Sequence, residues 1–197
     1  VRRQQNHWQQ QATQAFASGD VQTGLQAYNH KDCLSTRHET RSAAKQQLVT
    51  ELMQASDQEP ERRRLVLAYT RKDVDDLNRR IRSEMIERGT VDSQQTYLTI
   101  ARQQDDQLVE EQQGFARGER ILFRENNTEL GVMNGHFGTI QAITPEQLCV
   151  RLDSGQSVTF SPQDYNRFQL GYAATVHKSQ GVTVDETYVL ATPHFDQ

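Results

Sequence analysis

The spacing of apolar residues changes twice along the chain, and this change limits its fold more than any other feature. Residues 65–69 form a short apolar run typical of a strand buried on both faces, and apolar residues then recur every three or four positions up to Gly89, as in a helix. Residues 96–164 switch to short strand-like runs separated by glycine-containing turns. Strand-like runs return at residues 172–176 and 186–191. This order predicts an α/β domain interrupted by a small β barrel.

Short strands and tight turns are predicted inside the β-rich segment. The clearest strands cover residues 120–123, 137–143, 148–152 and 157–160. Asn134-Gly135 is a strong signal for a two-residue hairpin, and residues 153–155 close a tight turn between the last two strands. Five or so short strands with such turns suggest a small barrel.

A helical segment precedes the α/β pattern. Residues 3–17 have helical spacing, and Gly19-Asp20 interrupts that helix before a short second one. A third helix is predicted from about Glu39, with Thr36 as its N-cap and Glu39 as the capping-box partner.

The composition is polar for a protein of this length. The 197 residues are 35% hydrophobic, below the ~45–50% typical of globular domains, and the mean hydropathy is −0.83. This favours a fragment rich in polar helix over a disordered chain. The net charge of −4 argues against non-specific electrostatic capture of DNA, although it leaves room for a local basic groove.

Cysteine usage makes a reducing cytoplasm the default location. Cys33 and Cys149 lack the paired spacing of a metal site or disulfide framework. The sequence has neither a membrane-spanning apolar run nor a secretory signal. Val1 lies inside a helix-like pattern and Gln197 follows a strand, so both ends are expected to be boundaries within a longer protein.

Residues 171–185 are the most informative segment, because polar side chains follow an apolar strand. Hydroxyl, imidazole, ammonium and amide groups between Thr175 and Gln180 are predicted to cluster at the carboxyl end of this strand, where open α/β sheets bind ligands. Gly181 allows a close backbone approach to a ligand. Hydroxyl and backbone N–H groups suit phosphate oxygens. A merely structural strand and turn is the alternative.

This segment resembles motif V of superfamily-one helicases, in the RecD-like form Thr-Val-His-Lys-Ser-Gln-Gly. In that family the motif lies between the bound single strand and the nucleotide cleft. The resemblance implies a DNA-facing role for Thr175 and His177. It also implies a nucleotide-interface role for four residues: Lys178, Ser179, Gln180 and Gly181. The sequence departs from many relatives at Thr183, where they have an acidic residue near the ribose.

Residues 115–138 resemble the SH3-like insert of RecD-like helicases, which lies in the second motor lobe just before motif V. In relatives this barrel contacts the single strand. The resemblance implies DNA contacts from four surface candidates: Arg120, Arg124, Asn126 and Asn134. The alternative is that the asparagine only makes its turn and the arginines only solvate a strand face.

Residues 65–78 resemble motif IV and the strand-to-helix turn that opens the second RecA-like lobe. Thr70 is predicted to cap the helix and is assigned to the DNA side. Arg71 lies at the helix N-terminus, a natural anion site, and is assigned to the nucleotide interface, with DNA as its other ligand. A solvated capping arginine is an equal alternative. Asn78 is interpreted as an interior polar residue bonded to a neighbouring turn.

Arg3-Gln4, followed by Trp8-Gln9, resembles motif III as it appears in TraA-type relaxases. In the family, this glutamine senses the γ-phosphate and the arginine helps bridge the cleft to DNA, so Gln4 and Arg3 are assigned to the nucleotide interface. Trp8 is expected to anchor a core. With motifs III, IV and V and the insert in the right order, the chain is identified as a helicase region of a TraA-type conjugative relaxase.

The resemblance implies a division of the chain into three parts. Residues 1–60 would be a helical lead-in from the first motor lobe. Residues 61–95 and 168–197 would be parts of the second RecA-like lobe of a P-loop helicase. Residues 96–167 would be the SH3-like barrel inserted between them.

The intact parent, meaning the longer protein of which this chain would be a part, is expected to use ATP and Mg²⁺. This chain alone is expected to use neither. The sequence contains no Gly-x-x-x-x-Gly-Lys-Ser/Thr loop and no acidic pair after an apolar strand. The arginine-bearing motif VI is expected just after Asp196. Without these groups phosphoryl transfer loses most of its electrostatic stabilisation, so the chain alone is predicted to lack ATPase activity.

Two hypotheses for the function remain, and they belong to different classes of protein. The first is single-stranded DNA grip and translocation within an ATP-dependent 5′–3′ helicase. The second is a non-catalytic module that binds single-stranded DNA or relaxosome proteins; a Walker lysine and an Asp-Glu pair upstream of Val1 would favour the motor. The ordered motifs argue against an unrelated SH3-barrel protein. Expected partners are single-stranded DNA, the rest of the polypeptide (first motor lobe and relaxase domain), and relaxosome or type IV secretion coupling proteins.

Overall fold

The computed structural model of the chain describes four stretches: residues 6–35, 38–104, 107–179 and 182–191. It leaves out three side chains within them: Gln103, Gln104 and Lys178. The chain divides into two units, residues 1–44 and residues 45–197.

The first unit contains two helices that pack on each other, α1 (His7–Ala17) and α2 (Val21–Asn29). The ring of Trp8 meets Tyr28 edge-on with 5.1 Å between ring centroids, which agrees with its expected role as a core anchor. Asp20 caps α2, because its Oδ1 accepts the backbone N–H of Thr23 at 3.1 Å. The predicted break between the two helices is therefore confirmed.

The third helix, α3 (Arg41–Gln58), begins two residues after the predicted start. The hydroxyl of Thr40 accepts the backbone N–H of Ala43 at 3.1 Å and so performs the capping role that was predicted for Thr36. Thr36 itself lies outside the described residues. The unit boundary falls inside α3.

Beyond α3, the described residues of the second unit form ten strands and the helix α4. The elements up to the hairpin are β1 (Arg64–Ala68), α4 (Arg71–Glu87), β2 (Thr96–Gln104) and β3 (Gln107–Phe115). The next four strands are β4 (Arg120–Phe123), β5 (Phe137–Ile143), β6 (Leu148–Leu152) and β7 (Ser157–Phe160). The last three are β8 (Phe168–Leu170), β9 (Ala173–Thr175) and β10 (Glu186–Leu190).

A three-stranded parallel sheet joins the two α/β pieces that flank the β-rich segment. Its strand order is β10-β1-β9, and β1 runs parallel to both neighbours. α4 packs against β1 and β9 and buries Val74, Leu77 and Ile81 at the predicted helical spacing. After α4 the chain therefore forms the β-rich segment, and it returns to the parallel sheet at β9, as the change in apolar spacing predicted.

The β-rich segment forms an open sheet, and its strands do not close into the predicted small barrel. The five strands have the order β7-β6-β5-β4-β8, so β7 and β8 are the two edges. The edges are linked by aromatic side chains, because the rings of Phe160 and Phe168 lie 5.7 Å apart. A strand pattern cannot distinguish this side-chain contact from the backbone ladder that closes a barrel. The expected fold is thus confirmed as mixed α/β with a β insertion, but not as a barrel.

Asn134-Gly135 forms a turn but does not form the predicted hairpin. The turn is closed by the His136 N–H, which donates to the Met133 carbonyl at 3.0 Å, and Gly135 adopts the left-handed φ of 93°. It leads directly into β5, yet β4 ends earlier, at Phe123, so the two strands are joined by a long connection instead of two residues. The predicted turn at residues 153–155 does connect β6 and β7.

The strands β2 and β3 form a long antiparallel hairpin that pairs from Thr96↔Phe115 to Gln104↔Gln107. It meets the five-stranded sheet where the Ala101 N–H donates to the Asn166 carbonyl at 2.9 Å. The parallel sheet and the five-stranded sheet share a core, since Leu65 and Ala174 of the former cluster with Leu122 and Phe137 of the latter. Across the described residues, no helix combines the length and apolar character needed to cross a membrane.

Candidate nucleic-acid interface

Two chain segments meet at the carboxyl edge of the parallel sheet. Ala68, the last residue of β1, is paired with Thr175, the last residue of β9. The N-cap of α4, Thr70, follows β1, and a 3₁₀ turn, Val176–Ser179, follows β9. The two strand-end turns singled out in the sequence therefore lie at the same edge, where open α/β sheets bind ligands.

A groove of about 400 Å³ opens beside this edge. Its walls come from α4, the β2–β3 hairpin, β8 and Thr175. Four arginines line it: Arg71, Arg79, Arg82 and Arg102. Two carboxylates also line it, Asp75 and Glu111. The lining therefore carries net positive charge, which suits a polyanion although the chain as a whole is acidic.

Arg124 adds a further guanidinium close to this groove. Burial lowers the pKa of Arg124, and the positive charges of Arg102 and Arg71 lower it further. Its Nη1 makes only a long 3.4 Å hydrogen bond to the Gln169 side chain, and its buried Nε has no hydrogen-bond partner in the structure. The guanidinium groups of Arg102 and Arg71 thus repel that of Arg124, and a bound phosphate would relieve that repulsion.

The carboxylates of the groove neutralise only one of these three arginines. Arg102 donates to Asp75 at 2.5 Å and to Glu111 at 3.0 Å. Within the described part of the chain, neither Arg71 nor Arg124 has a carboxylate within salt-bridge distance. Arg71 and Arg124 are therefore the arginines best placed to receive an anion.

The hydroxyl of Thr70 is committed to capping α4. It accepts the Asp73 backbone N–H at 3.1 Å and donates to the Asp73 carboxylate at 2.5 Å. The buried ammonium of Lys45 bridges Asp73 at 3.0 Å and Asp76 at 2.7 Å, and its hydrogen bond is the main reason that the pKa of Asp76 is lowered. This network fixes the helix N-terminus that carries Arg71, and the role of Lys45 was not predicted from the sequence.

Asn78 positions the strand that ends at Thr175. Its side-chain oxygen accepts the Ala173 backbone N–H at 2.8 Å, and its amide nitrogen donates to the Ala173 carbonyl at 3.3 Å. The residue is buried and lines the groove together with Thr175. Asn78 is therefore the interior polar residue that was predicted, although it bonds a strand and not a turn.

The turn after β9 is partly exposed. Val176 and His177 are exposed, and the Ser179 hydroxyl donates to the Val176 carbonyl at 2.8 Å within the turn. The backbone of Lys178 belongs to the same 3₁₀ turn. Four other predicted interface residues lie outside the described part of the chain: Arg3, Gln4, Gln180 and Gly181.

Arg120 is engaged within the β insert. Its guanidinium donates two hydrogen bonds to Asp153, at 3.0 Å and 2.6 Å, and lies 4.7 Å from the centre of the Phe137 ring. A bidentate pair over an aromatic ring holds the side chain in one position. Arg120 therefore has a structural role within the β insert.

Asn126 and Asn134 lie next to each other on the surface of the insert. The Asn126 side-chain oxygen accepts the Asn134 backbone N–H at 2.8 Å, and both residues are exposed. A Cβ placed on the adjacent Gly135 would lie 3.6 Å from the Val182 side chain, in the segment that follows the strand-end turn. The asparagine pair therefore lies near the carboxyl edge of the parallel sheet.

Sequence reasoning missed three arginines of the groove: Arg79, Arg82 and Arg102. Two signals were available. On α4 the groove residues Asp75, Arg79 and Arg82 follow one another at steps of four and three residues, as on one helix face. On β2, Arg102 continues the two-residue alternation of the buried Leu98 and Ile100.

Comparison with solved structures places the fold in a known class. The chain is similar to the Pif1 helicase from Bacteroides in complex with ADP-AlF3 and ssDNA, with a TM-score of 0.53 and 19% identity over 67% of this chain and 35% of that chain. The fold is thus a mixed α/β fold that resembles a lobe of Pif1 helicase. No family model matches the chain.

Comparison with curated proteins narrows this class. The chain is 30% identical to the conjugal transfer protein TraA of Agrobacterium fabrum over 200 aligned positions, which cover 100% of this chain and 17% of that protein. The probable conjugal transfer protein TraA of Sinorhizobium fredii gives the same values. A shorter match of 86 positions, over 36% of this chain and 20% of that protein, is 34% identical to the ATP-dependent DNA helicase Pif1 of Bdellovibrio bacteriovorus.

The chain is homologous over its whole length to the TraA conjugal transfer proteins, which confirms the family resemblance drawn from its motifs. It spans 17% of the length of these relatives.

Proposed function

We propose that this chain is the part of a conjugative relaxase that grips and moves single-stranded DNA within an ATP-dependent 5′–3′ helicase. The observation that carries the proposal is the arginine-lined groove at the carboxyl edge of the parallel sheet, which Thr175 also lines. Phosphate contacts dominate nucleic-acid affinity, and guanidinium groups are well suited to them. The homologous TraA proteins are conjugal transfer proteins by name, which agrees with a DNA strand as the ligand.

The proposal assigns each part of the chain a role. The parallel sheet with α4 would be part of the second RecA-like lobe, and the open five-stranded sheet would take the place of the SH3-like insert. Residues 1–60 would lead in from the first motor lobe. Arg71 and Arg124 would bind phosphates, while Thr175 and His177 would contact the strand at the sheet edge. Asn126 and Asn134 would contact it from the insert.

ATP and Mg²⁺ would be bound by the intact parent. Among the described residues no group of three or more His, Cys, Asp or Glu side chains could hold a metal ion, so the present residues are assigned no metal-dependent step. Lys178, Ser179, Gln180 and Gly181 would face the nucleotide only when the rest of the motor is present. Relaxosome and secretion coupling proteins would be further partners of the parent.

Binding of a fluorescent oligothymidine strand, followed by anisotropy, tests the proposal. Replacing both Arg71 and Arg124 with Gln should weaken binding at least about tenfold, and should flatten the salt dependence by about 0.7 per lost single-strand phosphate contact. Arg151→Gln provides the matched control, because Arg151 is an exposed arginine on β6 that does not line the groove. Equal affinities for the two variants would contradict the groove as the DNA site.

Because the proposal places the nucleotide-binding groups in other parts of the parent, it predicts that the purified chain does not hydrolyse ATP. Its sequence lacks the phosphate-binding loop that positions the nucleotide. A coupled ATPase assay with single-stranded DNA should give the rate of the buffer blank. Turnover that is abolished by Lys178→Ala would show that this chain carries a complete nucleotide site of its own and would contradict the assignment.

A further inference from the structure

Arg82 lies between two competing environments, a buried carboxylate and the groove. Its side chain is 14% exposed and lines the groove beside Asn78 and Arg102. Its Nε is ion-paired with Oε1 of Glu119, whose side chain is 0% exposed. The guanidinium therefore stands at the border between the protein interior and the proposed DNA site.

Glu119 lies behind this border, in the turn that leads into β4. Its Oε2 accepts the Ala116 backbone N–H at 3.1 Å, and the residue does not line the groove. Two ionisable groups from other elements interact with it: Arg82 of α4 and Tyr172, which precedes β9. Tyr172 in turn accepts the Arg120 backbone N–H at 3.3 Å and feels the charges of Arg82 and Arg120.

Burial raises the pKa of Glu119 to about 7, because desolvation outweighs the opposing effects of the Arg82 charge and the Ala116 N–H. The carboxyl can therefore gain or lose its charge near neutral pH. Arg82 stays protonated under the same conditions, as arginine does in proteins. One partner of the pair can thus change its charge while the other cannot.

We propose that Glu119 regulates the groove by holding Arg82 away from bound nucleic acid, and that protonation of Glu119 releases the guanidinium to a phosphate. This inference rests on the proposed binding of single-stranded DNA in the groove. A neutral carboxyl attracts a guanidinium far less than a carboxylate does, whereas a phosphate offers a full negative charge. Released Arg82 then joins Arg71 and Arg124 in neutralising the strand.

The test uses the full chain, oligothymidine and fluorescence anisotropy at pH 6 and pH 8 over a series of salt concentrations. All proteins carry His177→Gln, which removes the exposed imidazole assigned to the strand from every comparison. In this background, binding should be roughly fivefold tighter at pH 6, and the slope of log K against log salt should be steeper there by about 0.7, the value for one added phosphate contact.

Three substitutions in this background separate the roles of the pair. Glu119→Gln keeps the shape and the acceptor for Ala116, and it should give the tight binding and steep slope at both pH values. Arg82→Gln should give the weak binding and shallow slope at both pH values, and it covers the case in which Glu119→Gln does not fold. Glu111→Gln is the matched control: it removes a groove carboxylate paired with Arg102, so binding should tighten at both pH values while the pH step persists.

The outcomes separate this inference from the proposed function. Binding with no pH step in the His177→Gln background, or a step of unchanged size in Arg82→Gln, would overturn the role of Glu119 and leave the DNA site standing. A lack of binding at both pH values, by these proteins and by the unsubstituted chain alike, would overturn the proposed function, and this inference with it.

Discussion

At the residue scale, the most consequential side chain outside the groove arginines is Asn78. Its side-chain amide bonds to both the N–H and the carbonyl of Ala173. It therefore occupies the edge of β9 where a further strand would otherwise pair. Backbone groups that are buried without a partner cost about 1–3 kcal/mol each. One helix residue thus satisfies the outer edge of β9 and fixes the strand whose last residue, Thr175, lines the groove.

Asn78→Ala should lower the free energy of unfolding by about 2–3 kcal/mol, because it leaves the Ala173 N–H and carbonyl without partners. Urea unfolding followed by circular dichroism measures this change. Arg79→Ala, at the next position of α4, is the control, since its side chain is 77% exposed and its contact with Asp76 is a surface ion pair. A loss for Asn78→Ala no larger than that of the control would show that the edge of β9 is satisfied in another way.

At the scale of elements, the sequence predicts those whose apolar pattern depends on burial. β1 and α4 are buried on the faces that their spacing indicates, and Thr70 caps the helix as predicted. The hairpin strand β3 was not delimited, because most of its residues are exposed on both faces and the Glu-Glu-Gln-Gln run has no alternation. The open edges of the five-stranded sheet could not be predicted either, since closure depends on backbone pairing between distant strands.

The residues of the candidate site could likewise be predicted only in part. Residues next to a strand end, such as Thr175 and Arg71, could be placed from local signals alone. Arg82 and Arg102 come from different elements, and their convergence depends on how the hairpin packs beside α4. The motif resemblance predicted that Arg120 contacts DNA. Its hydrogen bonds to Asp153 could not be predicted, because the sequence does not show which distant residue an arginine on a strand will meet.

The junction between α4 and the β insert depends on Gly118. Its φ is +89°, and a Cβ there would lie 2.5 Å from the Thr90 carbonyl oxygen. Gly155 has a nearly identical φ of +88° with nothing within 4 Å of its Cβ position. Gly155→Ala should therefore cost only the left-handed strain of about 1–2 kcal/mol.

Gly118→Ala should cost a further ~1–3 kcal/mol beyond Gly155→Ala, because its methyl group also collides with backbone. Thermal unfolding of the two variants side by side isolates this steric difference, since the φ strain is shared. If both variants melt at the same temperature, the turn at Gly118 does not pack tightly against the segment that follows α4.

At the scale of the whole molecule, local charge and net charge have opposite signs. The chain carries a net charge of −4, while the groove is lined by four arginines and two carboxylates. Composition alone therefore argues against DNA binding, and only the three-dimensional arrangement shows a surface suited to it. Acids offset part of the positive charge: Arg102 pairs with Asp75 and Glu111, and Arg82 pairs with Glu119, the most buried of these three carboxylates.

This arrangement gives global stability a predictable pH dependence. The pKa of Glu119 rises from 4.5 to about 7 on folding because the carboxyl is desolvated, so the folded chain binds more protons than the unfolded chain between these values. The stability contributed by this group is complete below about pH 4.5 and is lost as the pH rises through about 7. Relative to Glu119→Gln, the wild type should lose up to about 3 kcal/mol between pH 5 and pH 8.

Urea unfolding of both proteins at four pH values across this range provides the measurement. Glu111→Gln is the appropriate control, because its side chain is 41% exposed and the desolvation that drives the effect is largely missing there. A difference between wild type and Glu119→Gln that stays constant across the range would mean that the carboxyl of the folded chain stays ionised throughout. In that case Arg82 would remain paired at every pH, and its release to the groove would have no source of free energy.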